Sequence, residues 1–245
     1  MSAVVTEIVA GVYLLSSFFG IGAWGANVYL LVDDGLTLVD TGFSGRADQI
    51  LGQIEELGYS PSDVKRIIIT HHHADHVGSL AALKKATQAE VIAHPADALY
   101  IDGTLPQPGP SRPKWLSEFL ARFGWLWATE PVVVDTLVND GDELPILGGV
   151  KILHTPGHTP GNICLYLQSK KLLIAGDLLG HRFGLKLPSR AFTVDIAQEI
   201  RSVKRVAALD FDIICFGHGS PIRQQARQTV ADFADRLASP TVFAE

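Results

Sequence analysis

A histidine cluster that directly follows an apolar run constrains this chain more than any other feature. Residues 67–69 are three isoleucines, which predicts a buried strand, and residues 70–76 then read THHHADH. Four potential metal ligands fall within this cluster: His71, His73, Asp75 and His76. At a strand end the two alternating histidines project to one side, and a turn brings the aspartate and the last histidine round behind them. This spacing suits two adjacent metal ions better than one.

The middle histidine of the cluster, His72, is not expected to bind metal. Adjacent residues on an extended segment face opposite sides, so His72 should point away from its two neighbours. We expect a partly exposed or hydrogen-bonded side chain at this position.

Length and composition favour one large domain over residues 1–245. The 245 residues are 47% hydrophobic and can bury a substantial core, and no break in composition divides them. The net charge is -6, and lysine and arginine are scattered along the chain, which disfavours nucleic acid as a partner. The two cysteines, Cys164 and Cys215, lie inside apolar runs and are expected to be buried free thiols.

A stretch without charged residues, at positions 11–32, is long enough to raise the question of a membrane span. Glycine, serine and asparagine interrupt it, and Arg46 is the first basic residue of the chain, so a signal peptide is not indicated. We predict two buried strands near residues 12–16 and 27–32, joined by a glycine-rich loop. The expected location is cytoplasmic, without a membrane partner.

Short apolar runs alternate with amphipathic stretches, which predicts an α/β layered domain. The clearest strands cover residues 36–39, 67–69, 91–93, 150–153, 163–167, 172–175 and 213–216. The clearest helices cover residues 46–57, 78–85, 196–209 and 223–237.

An insert at about residues 101–131 interrupts this alternation. Four prolines fall at positions 106–113, and three tryptophans follow at positions 115–127. Apolar residues 116, 119, 120 and 123 share one helical face, so we predict an amphipathic helix after a proline-rich hinge. Three roles fit such an insert: a cover for the core, a lid over a site, or a surface for homodimer formation.

Further acidic and histidine residues stand where predicted strands end, each with a glycine at most two residues away: Asp40, His158, Asp177 and His218. Glycine at these places permits close approach of the backbone to a site. His94 and His154 are interpreted as structural residues at strand ends. His181 is left open, since it lies four residues after Asp177 and could face a substrate.

Taken with the histidine cluster, these motifs resemble, in order, those of the metallo-β-lactamase-fold hydrolase superfamily. The resemblance spans residues 27–219 and implies a four-layer αββα sandwich. It further implies one metal on His71, His73 and His158, a second on Asp75, His76 and His218, and Asp177 as the bridge between them. Asp40 is expected behind the ligands, where its carboxylate would accept hydrogen bonds from a ligand imidazole and the neighbouring loop.

The chemistry of the ligand set supports a hydrolase. Imidazole and carboxylate without thiolate suit two divalent ions, most simply zinc, with iron, manganese or cobalt also compatible. Two close ions hold a hydroxide at neutral pH and polarise the substrate, so a carbonyl centre is attacked without a protein nucleophile. Asp75 is the expected catalytic residue, since it could also orient or accept the proton of that nucleophile.

Positions at which the sequence differs from known members of the family narrow the range of expected substrates. Asp177 stands where the thiolate-bearing β-lactamases have cysteine, and this resembles lactonases, hydroxyacylglutathione-type thioesterases and phosphodiesterases. Acyl-homoserine lactonases carry a tyrosine three residues further on, where this chain has Gly180. Candidates for a pocket that accepts a hydrophobic small molecule are Trp24, Trp115, Phe119 and His181.

We therefore expect hydrolysis of a lactone or ester with a hydrophobic portion. Thioester hydrolysis and a promiscuous β-lactamase activity are neighbouring alternatives. Two functions outside the hydrolases are further alternatives, because a fold does not fix a function. One is a mononuclear iron persulfide dioxygenase, and the other is a non-enzymatic metal or ligand sensor.

Overall fold

A computed structural model describes residues 5–15, 25–108 and 129–237 of the chain. The described strands are β1 Val5–Val9, β2 Val12–Leu15, β3 Val28–Asp33, β4 Gly35–Val39, β5 Val64–Ile68, β6 Glu90–Ala93, β7 Thr136–Leu137, β8 Glu143–Leu144, β9 Val150–His154, β10 Ile163–Leu167, β11 Leu172–Ile174 and β12 Ile213–Cys215. The described α-helices are α1 Ala47–Glu56, α2 Ala74–Val77, α3 Leu80–Thr87, α4 Pro95–Ile101, α5 Ile196–Ala207 and α6 Ala226–Leu237.

The strands form two sheets. The first has the order β1-β2-β3-β4-β5-β6-β7, antiparallel from β1 to β4 and parallel from β4 to β7. The second has the order β12-β11-β10-β9-β8, in which β11 and β12 are parallel and the other pairs are antiparallel.

Alternation of side chains along the strands produces three apolar layers. In β3, Tyr29 and Leu31 face the second sheet, whereas Leu30 lies in the outer layer with Ile50 and Ile54 of α1. On the far side, apolar residues of β10 and β11 pack against α5 and α6. Helix, sheet, sheet and helix therefore stack in that order, and the predicted αββα sandwich is confirmed.

The predicted ligand residues follow strands that end at one edge of this sandwich. Asp40 follows β4 and the histidine cluster follows β5, and because these strands are parallel their carboxyl ends meet. Asp177 follows β11 and His218 follows β12, the parallel pair of the second sheet. A backbone hydrogen bond from Ile163 N to Thr70 O, 3.0 Å long, joins the sheets at this edge.

Most of the predicted elements are present, with changes at their ends. The helix predicted from residue 78 begins at Leu80, because Gly78 instead ends the single turn of α2. The uncharged stretch forms β2 and β3, which pair with each other, and no described helix has both the length and the apolar character of a membrane span. Both cysteines are buried free thiols, as predicted. Residues 109–128 of the predicted insert lie outside the described part of the chain.

Candidate metal centre

Seven histidine and aspartate side chains converge at the sheet edge. They form three overlapping groups, each with its ligand atoms within 4.8 Å of one another: His71, His73 and His158; His71, His76 and Asp177; and Asp75, His76 and His218. All seven are the residues that the sequence predicted as metal ligands. The first group, called here the first ligand group, and the last, called the second ligand group, meet through the middle one.

The local backbone explains how one short cluster serves both groups. His73 is still extended, with φ -62° and ψ 147°, so His71 and His73 lie on the same side of the segment. α2 begins immediately afterwards, and His73 O accepts the N–H groups of His76 and Val77. This single helical turn carries Asp75 and His76 to the second ligand group.

Asp177 lies between the two groups. Its Oδ2 is 3.6 Å from His158 Nε2 and 3.3 Å from His218 Nε2, and its Oδ1 is 3.5 Å from His76 Nε2. Asp75 Oδ2 completes the second group at 3.1 Å from His218 Nε2. One carboxylate therefore faces imidazoles of both groups, as a bridging ligand requires.

Hydrogen bonds behind the imidazoles orient them. Asp40 Oδ2 is 2.8 Å from His76 Nδ1 and accepts the Thr70 hydroxyl at 2.7 Å, while the Thr70 hydroxyl oxygen lies 3.1 Å from His71 Nδ1. His158 Nδ1 lies 3.3 Å from the Thr193 hydroxyl. When each Nδ1 is the donor in these contacts, the neutral rings present Nε2 lone pairs toward the centre of the site.

Several of these inward-facing atoms have no hydrogen-bond partner in the described part of the chain. Within the described residues, the Nε2 atoms of His71, His76 and His158 and Oδ1 of Asp177 are buried without a hydrogen-bond partner. Such buried unpaired atoms cost about 1–3 kcal/mol each. Cations bound in the two ligand groups would satisfy all four, so the donor set fits divalent metal ions.

The first ligand group is held in the neutral form. Burial lowers the pKa of His73 to about 3 and that of His158 to about 4. Burial also brings the pKa of His71 well below its ordinary value, and the neighbouring His76 and His73 add to the effect. Neutral imidazoles are the form that binds metal.

The second ligand group has the opposite electrostatics. Burial would lower the pKa of His76, but the carboxylates of Asp40, Asp177 and Asp75 outweigh it and raise that pKa to about 9. Burial would raise the pKa of Asp75, but the imidazoles of His76 and His218 lower it to about 2. The pKa of His218 is raised well above its ordinary value, since Asp177 and Asp75 outweigh the effect of burial.

His218 reaches the site from a tight turn. Gly217 precedes it, and a Cβ on Gly217 would lie 2.8 Å from His76 Cε1 and closer still to Asp177 Oδ1. His218 Nδ1 lies 3.2 Å from Gly25 O and 3.2 Å from Arg182 Nη2, which places a cation beside the second ligand group.

The remaining predicted residues are placed as follows. Asp40 lies behind the ligands, where it also accepts Thr70 N–H at 2.8 Å. His72 points away from the ligand groups and is fully buried, with its ring stacked on Tyr100 at 4.3 Å. Of the two states expected for it, partial exposure is wrong, whereas the 3.1 Å contact of its Nδ1 with Asp97 Oδ2 agrees with a hydrogen-bonded side chain. His181 Nδ1 donates to Ser220 O at 2.8 Å, and its backbone N–H donates to His218 O. Trp24, Trp115 and Phe119 lie outside the described residues.

His94 and His154 have structural contacts. His94 caps the N-terminus of α4, where its Nδ1 accepts Ala96 N–H at 3.2 Å. His154 ends β9 and its Nε2 donates to Pro160 O at 2.9 Å, and the two rings stack 3.9 Å apart.

Three residues at the site were not predicted from the sequence. Asp97 on α4 and Glu199 on α5 are buried carboxyl groups that accept N–H groups of the ligand loops. Burial raises the pKa of Glu199 to about 9, so this side chain is neutral at physiological pH. Phe192 lies with its ring 6.2 Å from that of His73. For Asp97 and Glu199, the available sequence signal was a single acidic residue on the buried side of each helix. No local pattern connects such a residue to the histidine loops.

The part of the chain that matches known proteins includes the residues of the metal centre. Residues 21–218 match the sequence profile of the metallo-beta-lactamase superfamily. The chain belongs to this superfamily. Its ligand residues from the histidine cluster to His218 fall inside the matched range.

Relatives within the superfamily include hydrolases. The chain is 27% identical to a probable metallo-hydrolase, YflN, of Bacillus subtilis, over 94% of each protein. It is 30% identical to the hydroxyacylglutathione hydrolase GloC of Haemophilus influenzae, over 81% of this chain and 87% of the relative. Among solved structures, the metallo-beta-lactamase family protein TTHA1429 of Thermus thermophilus superposes with a TM-score of 0.70 at 26% identity, covering 94% of this chain and 79% of the other. The chain is thus a metallo-β-lactamase superfamily hydrolase with side chains that can hold metal ions.

Proposed function

We propose that the chain is a dinuclear metal-dependent hydrolase that attacks the carbonyl centre of a lactone or ester with a hydrophobic portion. The observation that carries this proposal is the placement of Asp177, whose two oxygens face His76, His158 and His218 at 3.3–3.6 Å. A carboxylate in that position suits two ions held side by side, one in each ligand group.

The metal ions would be divalent, with zinc the simplest choice for nitrogen and oxygen ligands and iron, manganese or cobalt as alternatives. His71, His73 and His158 would hold one, Asp75, His76 and His218 the other, with Asp177 between them. When bound, such ions supply Lewis acidity and make water nucleophilic at neutral pH.

The chain's own residues supply orientation around that centre. Asp75 is ionised at neutral pH, since its pKa lies at about 2, and its carboxylate is 21% exposed at the open side of the second ligand group. An ionised carboxylate there can accept a hydrogen bond from an attacking water and point its lone pair at the substrate carbon. Asp40 keeps His76 in the tautomer that leaves Nε2 for a metal.

Apolar groups beside the first ligand group favour a substrate with a hydrophobic portion. Phe192 is 36% exposed and its ring makes a T-shaped contact with that of His73, so it forms one apolar wall of the space next to the ligands. His181, with Nδ1 engaged by Ser220 O, would present Nε2 to a substrate leaving group. Trp24, Trp115 and Phe119 are proposed to extend this wall.

A substrate panel tests the proposal. Purified chain of known metal content should hydrolyse lactones or esters with acyl tails and leave phosphodiesters unchanged. Asp75→Ala should reduce kcat at least about 100-fold, as expected for loss of a group that orients the nucleophile. Asp48→Ala, on the exposed face of α1, is the matched control and should retain full activity. Strong phosphodiester turnover without acyl hydrolysis would refute the proposal.

Thioester hydrolysis is the second candidate, favoured by the 30% identity to a hydroxyacylglutathione hydrolase. A lactone or ester and a thioester with the same acyl group separate the two. A higher kcat/KM for the thioester across several acyl chains would assign the chain to thioesters, and the reverse order would support the lactone or ester assignment.

A further inference from the structure

A buried aspartate outside the ligand set connects the two loops that carry the first ligand group. Asp97 lies in the first turn of α4 and is 1% exposed. Its Oδ2 accepts His72 N–H at 2.9 Å and the Thr159 hydroxyl at 2.7 Å, and its Oδ1 accepts Gly161 N–H at 2.6 Å. One carboxylate therefore receives donors from both loops.

Two of these three donors belong to residues directly next to a metal ligand in the chain. His72 stands between His71 and His73, and Thr159 directly follows His158. The first loop enters the site from β5 and the second from β9, so their relative position is not fixed by local sequence. Ile163 N–H to Thr70 O joins the same two segments at their strand ends, whereas Asp97 joins them beside the ligands themselves.

The junction is too tightly packed to adjust freely. A Cβ added to Gly161 would lie 2.6 Å from Asp97 N and 2.7 Å from its Cβ and Cγ, so the loop backbone rests directly on the aspartate. His72 Nδ1 is a further 3.1 Å neighbour of Oδ2. Burial would raise the pKa of Asp97, but the donors from His72 and Thr159 lower it, so the group is ionised and its hydrogen bonds are charge-assisted.

We propose that Asp97 is a positioning residue for the first ligand group, holding His71 and His73 at the correct separation from His158. The inference rests on the metal-dependent function proposed above. It assigns to Asp97 an effect on one metal position only, because the hydrogen bonds and ion pair of its carboxylate in the described residues go to His72, Thr159 and Gly161, in the two loops of the first ligand group.

Metal affinity resolved by site tests this inference. Zinc-loaded wild type, Asp97→Asn and Asp97→Ala are equilibrated with a series of chelator concentrations, and anomalous diffraction from crystals at limiting zinc gives the occupancy of each position. Asp97→Ala should weaken zinc binding in the first ligand group at least about 10-fold, in the range found for residues that orient metal ligands. Asp97→Asn keeps one acceptor oxygen and should give an intermediate loss. Hydrogen exchange at the amides of His72 and Gly161 should quicken in the same order.

Asp102→Asn is the matched control, since Asp102 follows the same helix and accepts Thr104 N–H away from the ligands. If Asp97→Ala does not fold, Gly161→Ala disturbs the same junction without changing charge, and Asp97→Asn provides the rescue comparison.

Two results would overturn the inference while leaving the proposed function in place. They are unchanged zinc affinity in folded Asp97→Ala, and equal weakening of both metal positions, which would indicate a general structural role. Wild-type protein that binds no zinc would instead overturn the proposed function and this inference with it.

Discussion

Replacing Asp40 by asparagine tests how the His76 imidazole is oriented, while all seven ligand residues stay unchanged. Asp40 is 2% exposed and accepts three hydrogen bonds, from Thr70 N–H, the Thr70 hydroxyl and His76 Nδ1. Its φ of 61° is in the left-handed region, which asparagine also tolerates, so the substitution leaves the backbone unstrained. The change therefore acts on hydrogen bonds and charge.

The magnitude follows from those contacts. The amide keeps an acceptor oxygen for Thr70 N–H, but an NH2 group replaces the oxygen that serves the Thr70 hydroxyl and His76. Each hydrogen bond to a charged group contributes about 1.5–3 kcal/mol, and the hydroxyl can reverse its role. We expect the metal-free protein to lose about 2–4 kcal/mol of unfolding free energy. Because His76 Nδ1 must then accept, Nε2 carries the proton, and affinity for the second metal should fall about 10–100-fold.

Urea denaturation of the metal-free protein and zinc titration against a chelator measure the two effects. Asp48→Asn is the matched control, since Asp48 is exposed on α1 and its loss should cost no more than about 0.5 kcal/mol. Asp40→Asn protein that keeps wild-type stability and binds two zinc ions with wild-type affinity would refute the reasoning that Asp40 fixes the His76 tautomer.

Two further predictions concern the metal centre. The histidines His76, with a pKa of about 9, and His218, with a raised pKa, must release protons to bind metal, whereas His73 and His158, at about 3 and 4, are already neutral. As the pH falls, protons therefore displace the metal of the second ligand group first. Dialysis from pH 8 to pH 6 should leave about one metal per chain, and simultaneous loss of both metals would contradict this prediction. Gly217→Ala should weaken both metals at least about 10-fold, because its Cβ displaces Asp177 and His76. Gly52→Ala, whose Cβ meets open space on α1, is the control, and equal metal content in the two variants would contradict the prediction.

Sequence patterns predicted the residues whose roles are visible locally. The alternation of His71 and His73 after three isoleucines indicated side chains on one face, and the structure has that arrangement followed by one turn of α2. The order of the motifs from Asp40 to His218 resembles that of the metallo-β-lactamase superfamily, and this resemblance implied the αββα sandwich that the structure has. Of the two alternatives predicted for His72, partial exposure was wrong, since alternation gives the direction of a side chain but not what covers it, and Tyr100 covers this ring.

The sequence by itself determined the layered fold, because alternating apolar and amphipathic stretches are local properties of the chain. It also predicted the ligand set, through the spacing of the histidine cluster and the resemblance of the motif order to that of the superfamily. Tertiary structure alone decided how the two ligand loops are held together. Asp97 meets Gly161 across 64 positions, and Glu199 meets His158 across 41, through buried carboxyl groups on separate helices. No local pattern encodes such contacts, since they exist only once both helices pack against their sheets and bury a carboxyl group beside free backbone N–H donors.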